Sequence, residues 1–273
     1  MTLGPATVTA RHHADPQAPR RVSKKSGRWY NVNGVDYPSV TNFMGVIDKS
    51  GPLMHWSTNL EREHVLNTAA RFYRKGIAMP PLDEDAFRES VRGELGTFAH
   101  RQTSKQAQDI GTEAHDAIEQ WVFQKLDQPV ASPIDVDAMS QEAQLAYESF
   151  LAWAKDADLQ PIAAEVVLYS DINQYAGTAD LIALVNGKPT LLDWKTSKRV
   201  YVTHKMQCVA YQVAWQEMGN QPLAGAYVVR LPKDLTAESW DCEVVTVPSV
   251  EEMWPGVEAA LNLWRFLQQW DKR

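Results

Sequence analysis

The stretch Gly177-Thr-Ala-Asp180-Leu-Ile-Ala-Leu-Val-Asn186-Gly187-Lys-Pro-Thr-Leu-Leu-Asp193-Trp-Lys195 decides the fold. Asn-Gly between two apolar runs favours a two-residue turn, because both turn positions need positive φ and these residues accept it most readily. A turn of that length fixes the pairing register. Val185 then opposes Lys188, Leu184 opposes Pro189, Ile182 opposes Leu191, and Asp180 stands opposite Asp193. Counting alternate steps makes the two aspartates a non-hydrogen-bonded pair, with Cα atoms about 4.5 Å apart and both side chains on one face. Pro189 falls in the same class, where its missing N–H removes no bond between these strands. Lys195, two residues beyond Asp193, shares that face.

Working upstream, the run from Pro161 to Ser170 is a third strand, joined to the hairpin through Asp171-Ile-Asn-Gln174. A four-residue loop there sets Ser170 against Tyr175 and brings Glu165 opposite Asp180. Three carboxylates then line up across an antiparallel meander. Like charges this close repel unless a counterion is present. A divalent ion relieves the repulsion, because Mg²⁺ binds through a couple of carboxylates, waters and phosphate oxygens. The plainer reading is a solvated hairpin face kept soluble by its Asp and Lys. Leu181 to Val185, with Leu191 and Leu192, weigh against it, since strands apolar on both faces belong to a buried sheet, where charge is costly and marks a site.

Further out the periodicity changes. Arg28 to Tyr37 reads as a short hairpin about Asn33-Gly34, and Ser39-Val-Thr opens the next element. Helical spacing runs through Leu53–Lys75, Asp85–Ser104, Ala107–Lys125 and Ser140–Ala157, broken by Pro80-Pro81 and by Pro129 to Pro133. After the meander come a helix from about Thr203 to Met218, strands at Gly225–Leu231 and Cys242–Val247, and a closing helix from Val250 to Gln269. The expected fold is α/β (α+β): a central mixed sheet with an antiparallel three-strand meander flanked by helices, plus an N-terminal helical lobe. The organisation read from these elements is an arm over 1–27, then one domain over 28–273. Within it the lobe spans about 50–157, and the core about 107–127 and 158–270.

At 273 residues and 44% hydrophobic content the chain can bury a sizeable core. Its apolar runs fall far short of the roughly 20 residues of a membrane helix, and no secretory signal pattern opens it, so a cytoplasmic protein without membrane attachment is expected. Cys208 and Cys242 are too few for an iron–sulfur cluster, an all-cysteine zinc site or a disulfide framework. The net charge of −7 rules out a uniformly basic nucleic-acid binder but leaves local basic fields open. One such field is Arg11, Arg20, Arg21, Lys24, Lys25 and Arg28, faced only by Asp15. It is either a phosphate-contacting arm or a solvated, disordered tail running to about Ser26.

Together these residues resemble the PD-(D/E)XK nuclease superfamily, and within it the RecB-like exonuclease branch that includes many phage recombination nucleases. The resemblance covers roughly Ser39 to Gln269. Tyr37-Pro-Ser-Val-Thr with Leu53 to Trp56 is similar to the branch's N-terminal signature, and Gly111-Thr-Glu-Ala-His115 to its Gly-x-x-x-His helix motif. Gly177-Thr-Ala-Asp180 and Asp193-Trp-Lys195-Thr196-Ser resemble the two catalytic motifs, and Gln207-x-x-x-Tyr211 the trailing helix motif. The resemblance implies Mg²⁺- or Mn²⁺-dependent DNA hydrolysis with Asp180, Asp193 and His115 at the metal. It further implies Glu165 as a further ligand, Lys195 activating the nucleophile, and Gln207, Tyr211 and Thr196 toward the substrate. It also implies exonucleolytic cutting in DNA recombination or repair, beside a single-strand annealing or recombination protein, with Trp56, Phe72 and Tyr73 available to stack on bases. Asp193 departs from the Glu that much of the superfamily carries. A DNA-binding member that does not cut and an endonuclease of the same fold are the alternatives.

Overall fold

Asn186 and Gly187 adopt φ of 48° and 74°, and Asn33 and Gly34 φ of 50° and 84°, so both Asn-Gly pairs make the tight turns that their chemistry favours. In the computed structural model, which describes residues 19–24, 26–47, 50–74, 88, 89, 92, 93, 95, 98–130 and 132–270, these turns organise two sheets. The first has three strands, β1 (Arg20–Lys24), β2 (Gly27–Val32) and β3 (Val35–Pro38), all antiparallel. The second has five, in the order β4 (Gln160–Ser170), β5 (Tyr175–Val185), β6 (Lys188–Lys195), β7 (Gly225–Arg230) and β8 (Glu243–Thr246). Neighbours are antiparallel except β6 and β7, which run parallel and are joined by helix α5 (Val202–Glu217).

The other helices are α1 (Val40–Phe43), α2 (Ser50–Arg74), α3 (Ala99–Lys125), α4 (Gln141–Asp156) and α6 (Val250–Trp270). Alternation along β5 and β6 feeds two cores. Ile182, Leu191 and Val228 on one face pack with Val209 and Tyr211 of α5 and Leu261 and Trp264 of α6. Leu181, Leu192 and Val229 on the other pack with Ala114 and Ile118 of α3 and Phe150 of α4. The central sheet is thus covered by helices on both sides, which is why its middle strands read as continuous apolar runs. Among the described residues no helix is long and apolar enough to cross a membrane.

Two expectations are corrected. Residues 20–24, read as part of an unstructured arm, form β1; Arg-Arg-Val-Ser-Lys carries one apolar residue and signals no strand by itself, but its whole length pairs with β2, from Arg20↔Asn31 to Lys24↔Gly27. Residues 1–18 lie outside the described residues. The expected break near residue 105 is absent, since nothing between Ser104 and Ala107 breaks a helix, and α3 is continuous. The chain forms two compact units, one of Asp48–Asp109 and one of Ile110 onward with the described residues up to Ile47. α4 lies in the latter.

Candidate active site

The β5–β6 ladder runs regularly from Val185↔Lys188 to Leu181↔Leu192. The next residues are Asp180 and Asp193, and here the strands part. The Trp194 N–H, which the alternation assigns to the Ala179 carbonyl, is donated at 2.8 Å to Asp180 Oδ2 instead. β6 stays straight because β7 holds it through Asp193↔Val228, Trp194↔Val229 and Lys195↔Arg230. The Trp194 ring fixes it from the opposite face by edge contact with Phe150, centroids 5.2 Å apart. Asp193 is fully buried. Lys195 makes an ion pair with its Oδ2, an oxygen otherwise without a hydrogen-bond partner among the described residues. Gln207 Nε2 donates to Asp193 Oδ1 at 3.1 Å and to the Tyr211 hydroxyl at 3.0 Å.

The electrostatics follow from this packing. Burial pushes the Asp193 carboxyl up to about 6 against the pull of Lys195, and Asp180 adds to the rise. Burial also raises Asp180, held back by Lys195 and by the Trp194 N–H. For Lys195 burial works against the ammonium, but Asp193 and Asp180 together outweigh it and keep its pKa above the ordinary lysine value. His115, on α3, is pushed down to about 4 by burial and by Lys195, so its imidazole is neutral at neutral pH. Glu165 rises to about 8, first through desolvation and then through Asp180, Glu119 and Asp116, with Arg21 opposing. Its side chain keeps an open path to solvent but lies among Asp180, Glu119 and Asp116.

Glu165 also carries strain. Pairing on either side of it, Ala164↔Leu181 and Val166↔Ala179, keeps the register expected from a four-residue loop, but its own φ is 47°. For a residue with a Cβ, left-handed backbone costs about 1–2 kcal/mol. Glu165→Gly is therefore expected to be about 1 kcal/mol more stable than Glu165→Ala in chemical denaturation, because only glycine accepts that φ freely. Equal stabilities would mean that no strain is held there.

Two close approaches frame the site. A Cβ on Gly177 would lie 2.4 Å from Tyr211 Cε1, so only glycine lets this ring reach Gln207. A Cβ on Gly111 would lie 2.8 Å from Thr196 Oγ1, which sets α3 against the residue after Lys195. Asp180, Asp193, Lys195, Gln207 and Tyr211 thus meet through hydrogen bonds, an ion pair and ring packing, while His115 reaches them at the Trp194 backbone and Glu165 lies near Asp180. Thr196 flanks the group against α3. Of the aromatics expected to face bases, Trp56 is half-buried on α2, and the side chains of Phe72 and Tyr73 lie outside the described residues. Sequence reading missed Asp116 and Glu119. The available signal was Glu119 one helical turn beyond His115 on the same face.

Among the described residues no three His, Cys, Asp or Glu side chains are arranged to enclose a metal by themselves. The donor set nevertheless fits an ion that retains much of its water: two adjacent carboxylates, an Asp193 Oδ2 met only by Lys195, and a neutral imidazole. No curated protein matches the chain. Among solved structures, that of LHK-Exo in complex with dAMP is 14% identical, covering 61% of this chain and 94% of that one at a TM-score of 0.33. Such a likeness is too loose to bear on activity. A family model does match, over residues 62–268, and its span includes both aspartates, Lys195 and the Gln207–Tyr211 helix. By that match, which takes in more than half its length, this chain belongs to the PD-(D/E)XK nuclease superfamily.

Proposed function

We propose that the protein is a DNA exonuclease of the RecB-like, phage-type branch, dependent on Mg²⁺ or Mn²⁺ and acting in DNA recombination or repair. The observation that carries this reading is the pair Asp180 and Asp193 at the point where β5 and β6 separate, with Lys195 on the same strand end. Nucleases of this superfamily generally use a divalent metal. Asp180 and Asp193, with His115 and Glu165 beside them, would hold it, and when bound it supplies Lewis-acid stabilisation of charge at phosphorus.

Hydrolysis adds water across one P–O ester bond. The water oxygen bonds to phosphorus, the ester bond to the leaving sugar oxygen breaks, and that oxygen takes a proton. Lys195, kept protonated by its two carboxylate neighbours, is no base; it orients the attacking water and offsets negative charge on the phosphate. Gln207 fixes the Asp193 carboxylate, and Tyr211 fixes Gln207, so the acid meets the reaction in one orientation. The cytoplasm and a recombination or annealing protein are the setting and partner that we propose with this activity.

The test is digestion of end-labelled linear DNA and of closed circular DNA with Mg²⁺ or Mn²⁺. Loss of linear DNA alone, stopped by EDTA, is the expected result. Cleavage of circles would make the protein an endonuclease, and no cleavage of either would remove the hydrolytic reading.

A further inference from the structure

A second charged feature lies on the loops beyond the carboxyl ends of β6 and β7, the one parallel pair among the described strands, and it has the opposite sign to the carboxylate site. In open α/β sheets ligands bind beyond the carboxyl ends of parallel strands, because the loops diverge there. The loop after β6 carries Lys198 and Arg199, and the loop after β7 carries Lys233. Leu231 N–H donates to the Lys195 carbonyl at 2.8 Å, tying the second loop to the end of the catalytic strand. Lys233 is half-buried and close enough to Lys198 for their charges to repel; burial and Lys198 both lower its pKa, with only Glu142 opposing. Neither lysine has an ion-pair partner among the described residues. Arg199 lies over the Tyr201 ring at 4.9 Å, adding a third cation at the rim.

The start of α5 supports the same sign. Its N-cap is Tyr201, whose own N–H is donated to His204 Nδ1 at 3.3 Å. A 16-residue helix presents partial positive charge at such an end. In that first turn Thr203 is only 6% exposed, and its buried Oγ1 has no hydrogen-bond partner among the described residues. Like charges held together near an unpartnered hydroxyl and a helix N-terminus favour an anion.

We propose that Lys198, Lys233 and the N-terminus of α5 form a subsite for a backbone phosphate of the DNA strand, next to the phosphodiester bound at Asp180 and Asp193. The inference deepens the exonuclease reading and rests on it. The subsite sets strand position, so it acts on substrate affinity and salt dependence rather than on the bond-breaking step.

The test is fluorescence anisotropy of a labelled single-stranded oligonucleotide in an Asp193→Asn background, where binding is read without cleavage. Titrations run from low to moderate salt, with and without Lys198→Ala and Lys233→Ala. Removing two phosphate contacts is expected to weaken binding about tenfold or more at low salt and to lower the slope of log affinity against log salt by about 1.5. Lys198→Arg should restore most of both. Lys155→Ala, the same charge change at the far end of α4, should leave the slope as it is. If the double variant keeps the parent slope, or if Lys155→Ala lowers it equally, the subsite is refuted even where wild-type protein digests DNA. If the slope falls as expected while wild-type protein cuts nothing, the subsite stands and the hydrolytic reading fails.

Discussion

Asp193→Asn is expected to lower DNA hydrolysis about 1,000-fold or more while leaving the metal-free protein more stable at pH 8. The activity loss follows from removing the anionic oxygen that pairs with Lys195 and is held by Gln207. The stability gain follows from the direction of the titration. The folded-state pKa of Asp193 lies near 6, above its ordinary value of 3.8. Its contribution is therefore fully present below about pH 4 and is lost as pH rises through 6. Above pH 6 the fold holds a buried charge at net cost, which asparagine does not carry. Lys195 loses one partner in the exchange and keeps Asp180, which offsets part of the gain. Thermal unfolding of both proteins between pH 4 and 8, with EDTA, gives the check: the difference should open between pH 4 and 6 and stay open above. Added Mg²⁺ or Mn²⁺ should then raise the wild-type Tm more than that of the variant, because the ion binds only the folded carboxylate pair. A variant less stable at every pH would show that the Lys195 pairing outweighs desolvation.

Gly177→Ala is expected to destabilise the fold by about 3 kcal/mol and to reduce cleavage about 100-fold, although it adds a single methyl group. The new carbon would sit 2.4 Å from Tyr211 Cε1 and 3.0 Å from its hydroxyl, inside a buried part of the sheet. The ring must move, and with it the hydroxyl that holds Gln207 against Asp193. A double-mutant cycle separates this clash from any effect of alanine in a strand. In a Tyr211→Leu background the cost of Gly177→Ala should fall below about 1 kcal/mol, since the ring carbon is gone. An undiminished cost would place the damage in the β4–β5 pairing instead.

The legible parts of this molecule were those set by local rules. Asn186-Gly187 fixes a register that any two-residue turn of that type imposes, and it holds as far as Leu181↔Leu192, beyond which the expected Asp180–Asp193 pairing gives way to a separation of the strands. Ser170↔Tyr175 was readable in the same way from a four-residue loop. What was hidden depends on tertiary context. The positive φ of Glu165 is a property of the strands around it, and nothing in Ala-Glu-Val announces it. Asp116 and Glu119 look like a solvated helix face until α3 is laid against β4 and β5. β1 has too little apolar character to signal a strand before its partner exists. Lys198 and Lys233 lie 35 positions apart in sequence and meet only because β6 and β7 run parallel.

That mixed sheet also implies an order of assembly. The β4–β5–β6 meander needs only short loops to close, and hairpins of this kind form in roughly 1–10 μs. The parallel partner β7 begins 30 residues after the end of β6 and must wait for α5 to form and fold back, a slower, non-local step. The two aspartates therefore meet in the early-forming half of the sheet, before the strand that will straighten β6 has arrived. Lys195 lies on β6 itself, so the compensating ammonium arrives with the second carboxylate, and the nascent chain needs no borrowed ion to bring its acids together.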